Sequence, residues 1–151
     1  MVEIISVFEV ELIIRIILSI ILSAVIGFER EITHKPAGLR TYMFIGMGSC
    51  LFTISSLYLL PTDIVDVVDP TRIAAGIVTG TAFIGAGSII ARRGDLKGIT
   101  TAASMWVVAS IGLTIGLGNY TIPIASTIIT FAILRLGVIA DRRRRNKLDE
   151  D

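Results

Sequence analysis

This chain has one cysteine, one histidine and long stretches without any charge. A single thiol, Cys50, excludes an internal disulfide. With His34 as the sole imidazole, the sequence also offers no zinc-type ligand set. HExxH, CxxC, a nucleophile–base pair and paired carboxylates are missing, so the usual signatures of hydrolases and metalloenzymes are not there. Charged residues fill only 18% of the 151 positions while 53% are hydrophobic, and the mean hydropathy is +0.80. A soluble domain of this length carries more charge than that. The net charge of +1 makes no case for nucleic acid. Residues 1–11 hold Glu3, Glu9 and Glu11 and no base, the wrong sign for the n-region of a cleavable signal. The first apolar segment is therefore expected to stay in the membrane.

The remaining residues form charge-poor runs. Residues 41–60 and 73–91 are each free of charge and long enough to cross a bilayer, since about 20 helical residues rising ~1.5 Å each span a core of ~30 Å. A third run, 98–134, is too long for one crossing, and Gly116-Leu117-Gly118-Asn119-Tyr120 with Pro123 breaks it. Together with 12–28, interrupted by Arg15, this predicts five spans, at 12–28, 41–60, 73–91, 99–115 and 121–140. The expected architecture is all-α: a polytopic membrane helix bundle of about five transmembrane helices over residues 1–141. A charged cytoplasmic tail, 142–151, is expected as disordered chain or as a helix extension.

The bases set the expected orientation. Arg30, Lys35 and Arg40 flank the first loop, Arg92, Arg93 and Lys97 lie in the third, and Arg142 to Arg145 with Lys147 follow the fifth span. The opposite side holds the N-terminus, Asp63, Asp66 and Asp69 with Arg72, and the neutral Gly118-Asn119 turn. The positive-inside rule then predicts an inner-membrane protein with its N-terminus outside and its C-terminus in the cytoplasm.

Ionisable groups at membrane depth are the first functional candidates, because lipid tolerates them only when they are paired or reach the interface. Arg15 has Glu11 one turn earlier on the same face. It is expected either to pair there and snorkel, or to turn inward toward an acid such as Asp69. Arg135, near the other end of the fifth span, is expected to snorkel. Asp69-Pro70 suits the cap and first residue of span three. Beside Asp63 and Asp66 it is also a weak attractor for a hard cation, so a metal site is left open. Glu29, Arg30, Glu31, Arg40, Arg92, Arg93 and Asp95 are placed to build an ionic network around the first and third loops. Thr100 or Thr101 is expected to cap span four. His34 is expected in solvent, and Cys50 as a packing residue.

Small residues are the second signal. Gly76 and Gly80 form a GxxxG pair, with Phe83 and Gly87 continuing on that face and Ala75, Thr79, Ala82 and Ala86 beside it. Such surfaces let helix backbones approach closely, and span three is accordingly expected at the centre of the bundle. On span four Ala102, Trp106, Ala109, Gly112 and Gly116 share a face. The segment from Gly80 to Gly87 lacks the strand–turn–helix setting and the Lys-Ser/Thr ending of a phosphate loop.

Five strings in order carry a resemblance. They are Gly27-Phe28-Glu29-Arg30-Glu31, Ala37-Gly38-Leu39-Arg40-Thr41 and Asp69-Pro70-Thr71-Arg72-Ile73-Ala74-Ala75, then Gly80 with Phe83-Ile84-Gly85-Ala86-Gly87, then Gly98-Ile99-Thr100-Thr101-Ala102-Ala103 with Trp106. Over roughly residues 15–136 the chain resembles the MgtC/SapB family of bacterial and archaeal membrane proteins. The resemblance implies a non-enzymatic inner-membrane protein linked to magnesium homeostasis or to survival under magnesium limitation. It implies no cofactor and no nucleic acid. The expected partners are the lipid bilayer, a second copy of the chain (a homo-oligomer, taken as a dimer) and another membrane protein such as the F-type ATP synthase. The alternative is a transporter or channel for Mg²⁺ or another small solute, with Asp69 and Glu29 at its mouths. Glu29, Arg30, Arg40, Asp69, Arg72, Gly80, Gly85, Gly87, Thr100, Thr101, Ala102 and Trp106 match the family pattern. Two departures are that longer members append a cytoplasmic ACT-like domain, which is not expected here, and that some carry a cysteine where this chain has Val107.

Overall fold

A computed structural model describes residues 2–58, 71–92 and 95–148, with side chains over 7–58, 71–89 and 97–139. Asp63, Asp66, Asp69, Pro70 and Arg93 lie outside the described residues, as do the side chains of Arg92, Asp95 and Arg142 to Arg145. The described chain runs α1 (Val2–Ile32), α2 (Leu39–Tyr58), α3 (Thr71–Gly87), β1 (Ile90–Arg92), β2 (Asp95–Lys97), α4 (Ile99–Gly116) and α5 (Thr121–Leu148). The protein is an all-α bundle with one short hairpin, in which Ile90 pairs with Lys97 and Arg92 with Asp95. That hairpin, between spans three and four, was not expected from the sequence.

Apolar runs become helices because lipid supplies no partner for backbone N–H and C=O groups, and a helix satisfies them within one segment. α1, α4 and α5 are each long and apolar enough to cross a membrane. α2, with 20 residues, reaches about 30 Å and α3, with 17, about 26 Å. α1 begins before and ends beyond the expected 12–28, and α5 runs past 140 to Leu148, so the tail starts as a helix extension.

The helix ends follow local chemistry. α1 closes with Lys35 N–H donating to Arg30 O and His34 N–H to Glu31 O, both at 3.0 Å. His34 takes the left-handed position with φ 53°, as the residue after a helix often does. α4 closes in the same way on Gly118, at φ 85°, with Gly118 N–H on Ile115 O and Asn119 N–H on Thr114 O. Asn119 Oδ1 then accepts Ile122 N–H in the first turn of α5. At the start of α4 stands Gly98, at φ 99°, with no side-chain cap. The expectation that Thr100 or Thr101 caps this helix is thus corrected: Gly98 O accepts Ala102 N–H at 2.8 Å, Thr100 is exposed and Thr101 is buried.

The bundle exposes large apolar side chains, and its interior mixes small hydroxyl residues with an apolar core that includes Ile26, Met105, Val108 and Ile111. Phe44, Phe52, Phe83, Ile128, Ile129 and Ile133 face outward, while Ser19, Ser23, Ser49, Thr53, Thr101 and Ser104 are buried. α4 packs on α1, α2, α3 and α5, whereas α3 packs on α4 and more lightly on α2. The expectation of a central span three is therefore corrected within the chain: α4 occupies the centre. α3 sits at the side: its buried residues are Ile77, Thr81 and Gly85, the last against Ala102, while a Cβ on Gly76, Gly80 or Gly87 would meet nothing within 4 Å among the described residues.

Candidate functional site

One face of α1 carries Arg15, Ser19, Ser23, Gly27 and Arg30, with Glu29 beside it, all buried. The spacings of four, four, four and three keep these residues on one side of a helix. Against this face α2 places Tyr42, Gly46, Ser49, Cys50 and Thr53, and α4 places Thr101, Ser104, Gly112 and Gly116. The three backbones almost touch. A Cβ on Gly46 would collide with Ser23, and one on Gly112 with the carbonyl of Gly46. A Cβ on Gly116 would lie 2.6 Å from Thr53 Cβ, and one on Gly27 2.8 Å from Tyr42 Cβ. The hydroxyls that line the seam bond within their own helices: Ser19 Oγ donates to Ile16 O, Ser23 Oγ to Ser19 O and Thr53 Oγ1 to Ser49 O, at 2.6–2.8 Å. With those polar groups satisfied, serine and threonine pack here as small residues.

A charged lock closes each end of the seam. At the first end Arg15 is 8% exposed. Its Nη2 pairs with Glu11 at 2.5 Å and its Nη1 donates to Gly116 O at 2.9 Å, with the Tyr58 hydroxyl 3.4 Å away. Gly116 O belongs to the last turn of α4, where carbonyls lack helical partners and the helix dipole favours a cation. Gly118 leaves room for the guanidinium, since a Cβ there would lie 3.0 Å from Nη2. Arg15 thus keeps the expected pair with Glu11 but is buried rather than snorkelling, and it turns inward to Gly116 O and the Tyr58 hydroxyl; Asp69, the acid expected there, lies outside the described residues.

At the second end Glu29 is 0% and Arg30 2% exposed, with Glu29 Oε2 accepting from Arg30 Nε at 2.5 Å. Glu29 Oε1 finds no donor among the described residues. The pair lies within electrostatic reach of Tyr42, whose hydroxyl meets Ser104 Oγ at 2.6 Å and donates to Thr101 O at 3.2 Å. Glu31, two residues on, serves α2 instead. Its Oε2 accepts Leu39 N–H at 2.8 Å and so caps that helix. The ionic network expected at this end contracts, among the described residues, to the Glu29–Arg30 pair, and Arg40 is exposed.

The other candidates divide. Gly85, Ala102 and Gly112 lie at helix contacts. Arg72 is exposed, and so is Trp106, at 54%. Trp106 therefore leaves the packing face on which its spacing put it, and Ala109, Gly112 and Gly116 hold that face. Tyr42, Gly46, Ser19 and Ser23 were missed. The repeat Ser19-xxx-Ser23-xxx-Gly27 was the signal that could have found the α1 side of the seam. The described residues hold no group of three or more His, Cys, Asp or Glu able to grip a metal ion.

A bundle of lipid-length helices with small-residue contacts and ion-paired ends is an α-helical integral membrane protein, closed at its centre by packing. The particular family follows from comparison: the MgtC family profile matches residues 16–142, and the chain belongs to that family. Over 130 residues it is 48% identical to "Putative magnesium transporter YhiD" of Escherichia coli (strain K12), covering 83% of this chain and 60% of that protein. It is 38% identical to Protein SapB of Bacillus subtilis (strain 168), covering 77% and 52%, and 38% identical to Protein MgtC of Salmonella typhimurium (strain LT2), covering 78% and 48%. The chain thus spans about half to three-fifths of the length of these relatives. No solved structure matches it.

Proposed function

We propose that this chain is a non-enzymatic membrane protein of magnesium homeostasis that acts through helix–helix contact, with a second copy of itself or with another membrane complex, and that α3 carries the contact. One observation bears most of the weight. The seam glycines of α1, α2 and α4 (Gly27, Gly46, Gly112 and Gly116) meet the chain's own helices, whereas Gly76, Gly80 and Gly87 of α3, and Gly48 of α2, have nothing among the described residues within 4 Å of where a Cβ would stand. Between α2 and α3 runs an apolar groove of about 360 Å³, floored by Gly48, Gly76 and Gly80 and rimmed by Phe44, Phe52 and Ile84. Lipid tails gain nothing from a glycine surface that another helix can fill by close backbone contact.

The distribution of bases supports an orientation with the Arg15 end outside and the Glu29 end in the cytoplasm. Magnesium limitation as the setting, and the F-type ATP synthase as a candidate partner, rest on the family. Crosslinking in native membranes followed by mass spectrometry tests the contact: a self-adduct or one defined membrane partner is expected, captured through α3.

Transport of Mg²⁺ is the second reading, favoured by the name of the relative from Escherichia coli and by the unpaired Glu29 Oε1 at one end of the seam. It meets a physical obstacle: between the two locks the seam is packed backbone to backbone, and Arg30 beside Glu29 repels a divalent cation. Ion flux into proteoliposomes separates the two readings. Reproducible Mg²⁺ uptake that is lost in Glu29→Gln supports transport; absence of flux for every cation tried removes it.

A further inference from the structure

α5 continues beyond the apolar part of its sequence. Its membrane-length window closes at Ile139, yet the helix runs to Leu148, about 13 Å further at ~1.5 Å per residue. That extension carries Arg142-Arg143-Arg144-Arg145 and Lys147. Deeper on the same helix stands Arg135, which is exposed, away from the buried face of Pro123, Thr127 and Leu134. Its guanidinium lies 5.8 Å from the centre of the Phe131 ring, and no carboxylate of the described residues pairs with it. A seven-residue spacing puts Arg142 on the helical face of Arg135, two turns on. Four successive positions at 100° steps spread around the axis of the helix, so the arginine run in the sequence is not confined to one face of α5. An arginine on a lipid-facing surface reaches toward phosphate, and its planar fork matches a phosphate with two parallel hydrogen bonds.

We propose that the extension of α5, from Arg135 to Leu148, binds the phosphates of anionic lipids, fixing the depth of α5 and holding a shell of anionic lipid on that side of the bundle. The inference rests on a different helix from the α3 contact, and each can fail without the other. The test uses the full chain in mild detergent with equal amounts of phosphatidylglycerol and phosphatidylcholine, read by native mass spectrometry. Phosphatidylglycerol is expected to be retained over phosphatidylcholine by about tenfold or more, and raised salt is expected to shrink that ratio. Replacing Arg142 to Arg145 by glutamine should lower the ratio to about threefold, replacing them by lysine should keep most of it, and Arg135→Leu should lower it by about threefold. Because these bases also set topology, tail accessibility is measured on each variant. The lysine variant and the salt series decide the matter if the glutamine variant inserts wrongly. Equal retention of the two lipids by the unaltered chain, a ratio insensitive to salt, or tighter binding of an oligonucleotide than of lipid vesicles would overturn the proposal.

Discussion

The seam between α1, α2 and α4 and the outer face of α3 are built from the same residues and end differently. Both carry glycine, alanine, serine or threonine at four-residue spacing. In the seam each small residue meets another backbone: Gly46 faces Ser23, Gly112 faces Gly46, and Gly116 faces Thr53 and Cys50. On α3, a Cβ at Gly76, Gly80 or Gly87 would meet nothing within 4 Å among the described residues, and Phe83 beside them is 83% exposed. A small-xxx-small pattern therefore marks a helix surface meant for close approach without saying whether the partner lies in the same chain. The seam adds what α3 lacks, buried charge at each end: Arg15 ties α1 to α4 through Gly116 O, and Glu29 and Arg30 pair within α1. The buried charges belong to the seam, and the open face is the one proposed above to carry the contact.

Substitution tests how real this contrast is. The largest effect is expected in the seam: Gly112→Leu forces a side chain into the carbonyl of Gly46 and should cost more than about 4 kcal/mol, leaving little folded protein after detergent extraction. Next comes the lock at the Glu29 end. Glu29→Ala strands Arg30 in a buried site and should destabilise by about 3–5 kcal/mol, read by chemical unfolding in micelles, and double replacement of Glu29 and Arg30 by Gln and Met should cost less than the single change. Arg15→Met removes the charged hydrogen bond to Gly116 O and should cost about 1.5–3 kcal/mol, with faster hydrogen exchange confined to the turn around Gly118. Gly80→Leu lies at the other extreme. Since no described residue stands within 4 Å of where a Cβ on Gly80 would lie, stability should change by no more than about 0.5 kcal/mol, while self-association or capture of a partner is lost. Gly85→Leu, facing Ala102, should affect both.

Much of this is legible in the residues alone. The charge-free runs set the number of helices and, for α2 to α4, their ends to within four residues, whereas α1 starts ten residues before its expected span and α5 ends eight residues after, because a helix continues past the apolar run that lipid requires. Arg15 with Glu11 followed from the cost of charge at membrane depth, whereas Glu29 and Arg30 were expected in a loop-end network and through the family resemblance, and their burial was not foreseen. What stayed hidden was which helix lies in the middle. Gly76 and Gly80 spell a packing motif as plainly as Gly112 and Gly116 do, and only tertiary contact tells an internal seam from an external one. Thr100 and Thr101 misled for a related reason: the left-handed turn at Gly98 starts α4 without a hydroxyl cap. Trp106 reads as a core aromatic by spacing, yet it stands on the outside of α4, where lipid takes a large side chain as readily as a protein interior does. The acidic stretch with Asp69 lies outside the described residues.

Cysteine crosslinking in native membranes puts the α3 contact to the most direct test, with Cys50→Ser as background and single cysteines placed by Gly80→Cys on α3 and Ile128→Cys on the exposed side of α5. A short crosslinker should join Gly80→Cys to a second copy or to one defined membrane protein and leave Ile128→Cys unjoined. Equal, weak labelling at both positions, with no adduct from α3 and with biological activity intact in Gly80→Leu, would contradict it.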